Sequence, residues 1–155
     1  MKLVDVRDSG YEVFHELMND YYRDGKDAET PQEEIDAFIS YLFELCMDGR
    51  ISGCIAWENV PVGFVLWNVD SEDGVFSRKP GYGTILEIGV SPEARGRGIG
   101  RIFSDFAQSQ METDRFYVCA YGPAEKFWEK CGYYFSGDLA ENGLKIMTKG
   151  DLNGR

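Results

Sequence analysis

Residues 84–110 read TILEIGVSPEARGRGIGRIFSDFAQSQ, and this stretch predicts a strand, a turn and a helix in immediate succession. The apolar residues before Ser91 form a run of strand length. Pro92 ends the run, because proline fixes its own φ and offers no N–H to a ladder. Beyond the turn, apolar residues recur at helical spacing, namely Ile99, Ile102, Phe103, Phe106 and Ala107. A strand that leads into a glycine-rich helix start is therefore the central feature of the sequence.

The junction between this strand and helix is RGRGIGR, residues 95–101. Glycines let a backbone approach a ligand closely, and the first N–H groups of a helix lack an intrahelical partner. The positive end of the helix dipole lies at the same place, so a pyrophosphate suits such a site. Arg95, Arg97 and Arg101 add local positive charge to a chain whose net charge is −11. The junction therefore predicts a diphosphate-binding loop.

Two common phosphate-binding motifs are absent from this junction. A P-loop requires Gly-Lys-Ser/Thr, and the dinucleotide motif G-x-G-x-x-G requires glycine at position 101, which is arginine. What remains is R-x-x-G-x-G, from Arg95 to Gly100. This pattern closely resembles motif A of the GNAT (Gcn5-related N-acetyltransferase) superfamily. The resemblance implies that the loop holds the pyrophosphate of acetyl-CoA and that the preceding strand binds the pantetheine arm. The cofactor-binding residues implied are Ile88, Gly89, Val90, Arg95, Gly96, Arg97, Gly98, Ile99, Gly100 and Arg101.

Composition limits the class of protein. A chain of 155 residues with 43% hydrophobic content suits one globular domain, expected here over residues 1–150 with a tail at 151–155. No apolar run approaches the ~20 residues of a membrane helix, and the N-terminus lacks the apolar core of a signal peptide. The four cysteines show no C-x-x-C spacing, so reduced thiols, no metal and a cytoplasmic location are expected. The acidic balance argues against a nucleic-acid partner.

The order of predicted elements extends the resemblance over nearly the whole chain. Apolar spacing and turn residues predict the order β-α-α-β-β-β-α-β-α-β-β. The boundaries include a first strand over 1–7, a helix from Tyr11, a helix capped by Thr30 with Glu33 completing a capping box, and a turn at 137–143 between the last two strands. This is the order of the GNAT fold. The resemblance implies an α/β (α+β) fold with a mixed, mostly antiparallel sheet of about seven strands and helices on both faces.

A second stretch, YGPAEKFWEKCGY at 121–133, resembles motif B of the same family with two departures. Tyr121 replaces the usual asparagine, and Trp128 replaces the tyrosine that protonates the leaving thiolate in many relatives. An indole N–H is not a useful acid, so Trp128 is expected to wall the cofactor or pack on the sheet. Tyr121 and Tyr134 are candidate acids. The alternatives are that both are core or rim aromatics and that the thiolate, with a thiol pKa of ~8.5, leaves without help.

Glu87 is the one carboxylate within the central strand. Burying it costs stability, which points to a purpose, and a carboxylate on this strand often serves as the general base in the family. The alternative is a solvent-facing glutamate in an alternating strand. Tyr21, Tyr22 and several carboxylates between Asp20 and Glu29 suit a cationic acceptor such as a polyamine, an aminoglycoside or a lysine. They suit a solvated loop equally well.

The resemblance thus implies an N-acetyltransferase that moves the acetyl group of acetyl-CoA to a primary amine by direct attack in a ternary complex. No metal takes part in that chemistry, and the family is often homodimeric. Another acyl-CoA as donor remains open because the length of the pocket decides it. The missing tyrosine and asparagine of motif B support a different class as the alternative, namely a non-catalytic CoA-binding sensor or interaction module.

Overall fold

Seven strands form one mixed sheet in the order β1-β2-β3-β4-β5-β7-β6, in a computed structural model that describes residues 1–25 and 27–150. Strands β4 and β5 pair in parallel, and the pairs β1–β2, β2–β3, β5–β7 and β6–β7 are antiparallel. The predicted mixed, mostly antiparallel sheet is therefore confirmed. The strands are β1 Lys2–Asp5, β2 Ser52–Trp57, β3 Pro61–Val69, β4 Gly83–Val90, β5 Phe116–Ala120, β6 Tyr134–Leu139 and β7 Lys145–Lys149.

Five α-helices accompany the sheet in the described residues. They are α1 Val6–Ser9, α2 Tyr11–Arg23, α3 Gln32–Met47, α4 Ile99–Gln110 and α5 Glu125–Lys130, with single 3-10 turns at Pro92–Ala94 and Gly122–Ala124. The order agrees with the prediction except for the added helical turn α1. None of these helices has the length and apolar content needed to cross a membrane.

The first of two compact units comprises residues 1–67 and 87–103. Its core is built from the apolar stripes of α2 and α3, including Phe14, Met18 and Ile39, each fully buried. Polar contacts also join the two helices, and in one of them His15 Nε2 lies 2.7 Å from Asp36 Oδ1. The single histidine of the chain thus has a structural partner.

The second unit comprises Asn68–Leu86 and Ser104–Arg155, of which residues 104–150 are described. The buried residues Tyr117, Ala140 and Ile146 pack together in its core. The Tyr117 hydroxyl donates to Asp70 Oδ2 at 2.5 Å, and the Lys79 N–H donates to the same oxygen at 3.1 Å. These bonds anchor the long loop between β3 and β4. The predicted tail at 151–155 lies outside the described residues.

Three predicted boundaries are wrong, each because of a local hydrogen bond. The first strand ends at Asp5 instead of Arg7, because the Asp5 carboxylate accepts the Arg7 N–H at 2.8 Å and caps α1. Helix α3 begins at Gln32 without the capping box. Thr30 is held in a turn by Asp27, and the Pro31 carbonyl accepts the first helical N–H groups.

The third correction concerns the last hairpin. The prediction of a turn over 137–143 is wrong in its first half, because β6 continues to Leu139. Gly137 has φ +96°, and the strand register shifts between Phe135 and Leu139, which together describe a bulge. The Ser136 hydroxyl stabilises it by donating to the Ile146 carbonyl at 2.7 Å and accepting the Asp138 N–H at 3.2 Å.

Candidate active site

Strand β4 and the loop that follows it carry most of the residues that the sequence singles out. The described register between β4 and β5 joins Gly83 to Phe116 and Thr84 to Tyr117, two pairs in a strand of eight residues. From Leu86 to Val90 the residues of β4 are only partly buried, whereas Gly83 to Ile85 are buried. The carboxyl end of β4 is therefore the accessible part of the central strand.

The loop between β4 and α4 leaves the strand through a tight turn. The Ser91 N–H donates to the Val62 carbonyl at 2.9 Å, and Pro92–Ala94 form one 3-10 turn. Gly96 and Gly98 then adopt φ +78° and +79°, in the left-handed region that side chains avoid. No described atom lies within 4 Å of the position that a β-carbon would take at either residue. The backbone conformation therefore requires these glycines, and the space in front of them is open.

The two arginines of this loop have carboxylate partners within the same unit. Arg95 donates to the Val90 carbonyl and to Asp24 Oδ2, both at 3.0 Å. Arg97 makes a two-pronged pair with Glu58, at 2.9 and 2.5 Å, which holds the pKa of the Glu58 carboxyl below its usual value. Both pairs are exposed, and solvent screening leaves such pairs with little net contribution to stability. An incoming anion therefore replaces them at low cost.

Glu87 is half-buried on β4 and faces the end of helix α2. The Tyr22 hydroxyl lies 3.4 Å from Glu87 Oε1. Burial raises the pKa of both Tyr21 and Tyr22, and the charge of Glu87 and hydrogen bonding to it raise the pKa of each further. The predicted base is thus joined to two of the tyrosines that the sequence assigns to the acceptor side.

A cavity of about 390 Å³ lies beside these residues in the first unit. Helix α2, the start of β3 and the end of β4 with its turn contribute its walls. Gly63 and Gly89 make the close packing here, because a β-carbon at Gly89 would lie 2.6 Å from the Phe64 ring and one at Gly63 would lie 2.6 Å from the Gly89 carbonyl oxygen. The lining of the cavity includes the charged residues Asp20, Arg23, Asp24, Glu93 and Arg95.

Trp128 and the two candidate acids, Tyr121 and Tyr134, belong to the second unit. Trp128 is buried on α5, its ring 4.9 Å from that of Phe127 and 5.3 Å from that of Tyr133. Tyr121 follows β5 and is 42% exposed, and Tyr134 is the half-buried first residue of β6. Both tyrosines carry a hydroxyl that could donate a proton, which Trp128 lacks.

The structure thus brings together one group of predicted residues in the first unit. Gly89, Val90 and Arg95 line the cavity with Tyr21, and Tyr21 in turn interacts with Glu87. Sequence reasoning missed the carboxylate partners of the arginines, for which the sequence contains no spacing signal. It also missed Gly63, which a glycine inside an apolar strand does signal. The described residues contain no cluster of three or more metal-ligating side chains.

Comparison with known proteins agrees with this architecture. The family model of the acetyltransferase (GNAT) family matches residues 11–133, and the chain belongs to that family. Acyl transfer from a coenzyme A thioester is accordingly the class of chemistry that its fold supports. No curated protein shows significant sequence similarity to the chain.

Solved structures with the same fold share little sequence with this chain. The paiA N-acetyltransferase of Thermoplasma acidophilum, solved in complex with coenzyme A, has a TM-score of 0.69 at 14% identity and covers 96% of this chain and 99% of its own. The histone acetyltransferase HPA2 and related acetyltransferase of Corynebacterium glutamicum has a TM-score of 0.70 at 16% identity, with 96% and 94% covered. A GCN5-related N-acetyltransferase of Ralstonia eutropha has a TM-score of 0.69 at 19% identity, with 90% and 95% covered.

Proposed function

We propose that this protein transfers the acetyl group of acetyl-CoA to a primary amine. The observation that carries the proposal is the loop after β4, where Gly96 and Gly98 hold positive φ beside open space at the start of α4. Exposed backbone N–H groups at a helix start suit a diphosphate, and close approach of a ligand requires that β-carbons be absent. Family membership makes a coenzyme A diphosphate the natural occupant.

The fit of this chain to acetyl-CoA rests on its own residues. Residues 95–101 would hold the diphosphate, with the guanidinium groups of Arg95 and Arg97 released from Asp24 and Glu58. The backbone of Ile88 to Val90 would bind the pantetheine arm, since the pairing of β4 with β5 is described only at Gly83 and Thr84. When bound, acetyl-CoA supplies an activated thioester carbonyl.

Glu87 is proposed as the general base. An alkyl ammonium has a pKa of about 10, so an acceptor must lose a proton before its nitrogen attacks the carbonyl carbon. Glu87 accepts that proton, directly or through a water. The carbon–nitrogen bond forms as the carbon–sulfur bond breaks, and holding both reactants in place accounts for much of the rate. Backbone N–H groups of β4 near residues 88–90 would polarise the carbonyl.

The cavity beside α2 is proposed as part of the acceptor site. It shares Tyr21 with the surroundings of Glu87. Asp20 and Glu93 line it, and their side chains have no hydrogen-bond or ion-pair partner among the described residues, so they favour an acceptor that carries positive charge. The chain's net charge of −11 also attracts cations to the protein.

Protonation of the leaving thiolate is assigned to Tyr121 or Tyr134. Trp128 cannot supply a proton, and its buried position between aromatic rings supports a role as an apolar wall. Because a thiol has a pKa of about 8.5, the acid matters less as the pH rises. Replacing the correct tyrosine by phenylalanine should therefore cost more turnover at pH 7 than at pH 9.

One observation favours a second candidate function. The aromatic ring at position 128 is buried and lacks the hydroxyl of the usual tyrosine, which suits a CoA-binding module without catalysis. The two functions share the cofactor site and differ only in turnover.

A single experiment separates them. Purified protein is tested for stabilisation against heat by acetyl-CoA and then for release of free CoA thiol over a panel of mono-, di- and polyamines and lysine peptides. Turnover with at least one amine supports the enzyme, and binding without turnover on any amine supports the module. Glu87→Gln should lower turnover by about 100-fold or more and leave CoA affinity unchanged, whereas the exposed control Glu44→Gln should change neither.

Three further expectations accompany this proposal. Residues 1–150 are taken as one N-acetyltransferase domain, which the family match over residues 11–133 supports. The four cysteines are free thiols, which suits a reducing, cytoplasmic compartment. A homodimer is expected from the family's habit and is tested by light scattering.

A further inference from the structure

The end of helix α2 places two consecutive tyrosines against the proposed base. The Tyr22 hydroxyl lies 3.4 Å from Glu87 Oε1, and Tyr22 is only 6% exposed. Tyr21 also interacts with Glu87, since hydrogen bonding to Glu87 and its charge both raise the pKa of Tyr21. A phenol that stays protonated over the working pH range can only donate to a carboxylate. Glu87 thus faces two fixed hydrogen-bond donors.

Aromatic packing fixes the positions of both rings. The Tyr21 and Tyr22 rings meet edge to face at 5.2 Å, and the Tyr22 ring lies 5.8 Å from that of Phe38 on α3. The Tyr21 ring meets Phe64 of β3 edge to face at 5.4 Å. Glycine at 89 is what admits Tyr21, because a β-carbon there would lie 2.9 Å from Tyr21 Cδ1. Gly89 stands two residues from Glu87 on β4, so both face the same side of the strand.

The environment of Glu87 gives the two tyrosine hydroxyls an electrostatic role. Tyr21 and Tyr22 of α2 both interact with Glu87, and Asp27 of the following loop adds its negative charge near both tyrosines. A like charge and partial burial both oppose ionisation of a carboxylate, whereas two hydrogen-bond donors favour it. The hydroxyls therefore offset the local acidity.

We propose that Tyr21 and Tyr22 are positioning residues that hold the Glu87 carboxylate ionised and in one orientation. The inference rests on the proposed role of Glu87 as the base. Its consequence for the reaction is that Glu87 is ready to accept a proton at neutral pH before any acceptor arrives. The two hydroxyls do not exchange protons with the acceptor, since their protonated state is favoured throughout.

The first test needs neither acetyl-CoA nor an acceptor. Glutamate carboxyl carbons are labelled with ¹³C, and the Glu87 signal is identified by its loss in Glu87→Gln. Its titration midpoint in the ligand-free protein should rise by about one pH unit in Tyr22→Phe and in Tyr21→Phe. The control Tyr41→Phe, an exposed tyrosine on α3, should leave it unchanged. A midpoint unmoved in both variants overturns the proposal, whether or not the protein is an enzyme.

The second test is a double-mutant cycle on turnover. Tyr22→Phe should lower kcat by about ten-fold with little change in KM for acetyl-CoA, and it should have almost no effect when Glu87 is already glutamine. A purely structural role would give the same loss in both backgrounds and would overturn the inference. If Tyr22→Phe does not fold, the half-buried Tyr21→Phe carries both tests. Absence of turnover in the wild type defeats the proposed function alone, because the titration still decides this inference.

Discussion

At the scale of single residues, the loop after β4 depends strongly on glycine at two backbone positions and only weakly on the ion pairs of its arginine side chains. Gly96 and Gly98 hold a conformation that costs other residues about 1–2 kcal/mol. Arg95 and Arg97, in contrast, sit on exposed carboxylates that they can exchange. The glycines should therefore be far less replaceable than the arginines.

Gly98→Val is expected to abolish CoA binding and to lower the melting temperature only modestly. The β-carbon meets no described atom, so its cost to the fold is the backbone strain at a positive φ, and it enters the space where a diphosphate would approach. The matched control is Gly143→Val, which has φ +85° and equally open space in the last hairpin. The control should lose similar stability and keep CoA affinity by calorimetry. Equal loss of affinity in both variants would contradict the assignment of the loop.

The cysteines should react unequally with a thiol reagent. Cys46, Cys54 and Cys131 are at most 3% exposed, and burial raises the pKa of Cys46 and Cys54 to about 12. Their thiolate fraction at pH 8 is then negligible. We expect at most one rapid equivalent in the native protein, from the half-buried Cys119, and four in denaturant. Two or more rapid equivalents in the native state would show that the core opens.

At the scale of elements, the sequence predicted which helices and strands exist and in what order, but it predicted the residues at which they begin and end less well. Strand β4 and helix α4 follow from local patterns, since Pro92 and the spacing of Ile99, Phe103 and Ala107 act within a few residues. The start of α3 does not, because Thr30 is drawn into a turn by Asp27. The pairs Arg95–Asp24 and Arg97–Glu58 join positions 71 and 39 residues apart. Only the folded chain determines such contacts.

Asp5→Ala should destabilise the protein by about 0.5–1 kcal/mol at pH 7, because it removes the cap of α1. Hydrogen bonding to Arg7 lowers the pKa of Asp5, so its contribution is present above the unfolded value of about 3.9 and is lost as the pH falls through the lower folded value. The free energies of unfolding of the two proteins, measured by urea denaturation, should therefore converge progressively as the pH falls below the unfolded value. The neighbouring Asp8→Ala, which caps nothing, should cost less. A difference that stays constant down to pH 2 would contradict this account.

Gly63→Ala should destabilise the first unit by about 1–3 kcal/mol. Its β-carbon would lie 2.6 Å from the Gly89 carbonyl oxygen and 2.9 Å from the Phe103 ring, and a backbone oxygen in a sheet cannot move aside. Gly122→Ala is the matched control, because its nearest neighbour would be Glu125 Oε2 at 3.8 Å. Thermal unfolding should separate the two variants. Equal melting temperatures would mean that β3 and β4 adjust more readily than the contacts indicate.

At the scale of the whole molecule, net charge outweighs the individual ion pairs. The chain carries −11 at pH 7 with a pI of about 4.5. The described salt bridges lie at the surface, exposed or partly buried, where solvent and salt screen them and each contributes little to stability. Repulsion among the excess carboxylates acts over the entire surface and opposes the compact state.

The melting temperature at pH 7 should therefore rise when NaCl is increased from about 10 to about 150 mM, as screening shortens the range of repulsion. The same increase near pH 4.5, where the net charge vanishes, serves as the control and should have little effect. Scanning calorimetry in both buffers makes the comparison. A melting temperature that falls with salt at pH 7 would show that the ion pairs outweigh the repulsion.

The pairing of Arg95 with Asp24 and of Arg97 with Glu58 also affects which anions gain most by binding at this loop. An anion that binds both guanidinium groups displaces the carboxylates of Asp24 and Glu58 together, so it needs two negative groups of its own. Free orthophosphate, sulfate or chloride bound at one guanidinium group exchanges one exposed ion pair for another. A compound with two linked anionic groups gains both contacts in one binding event, which favours larger, multiply charged compounds at this loop over small single anions.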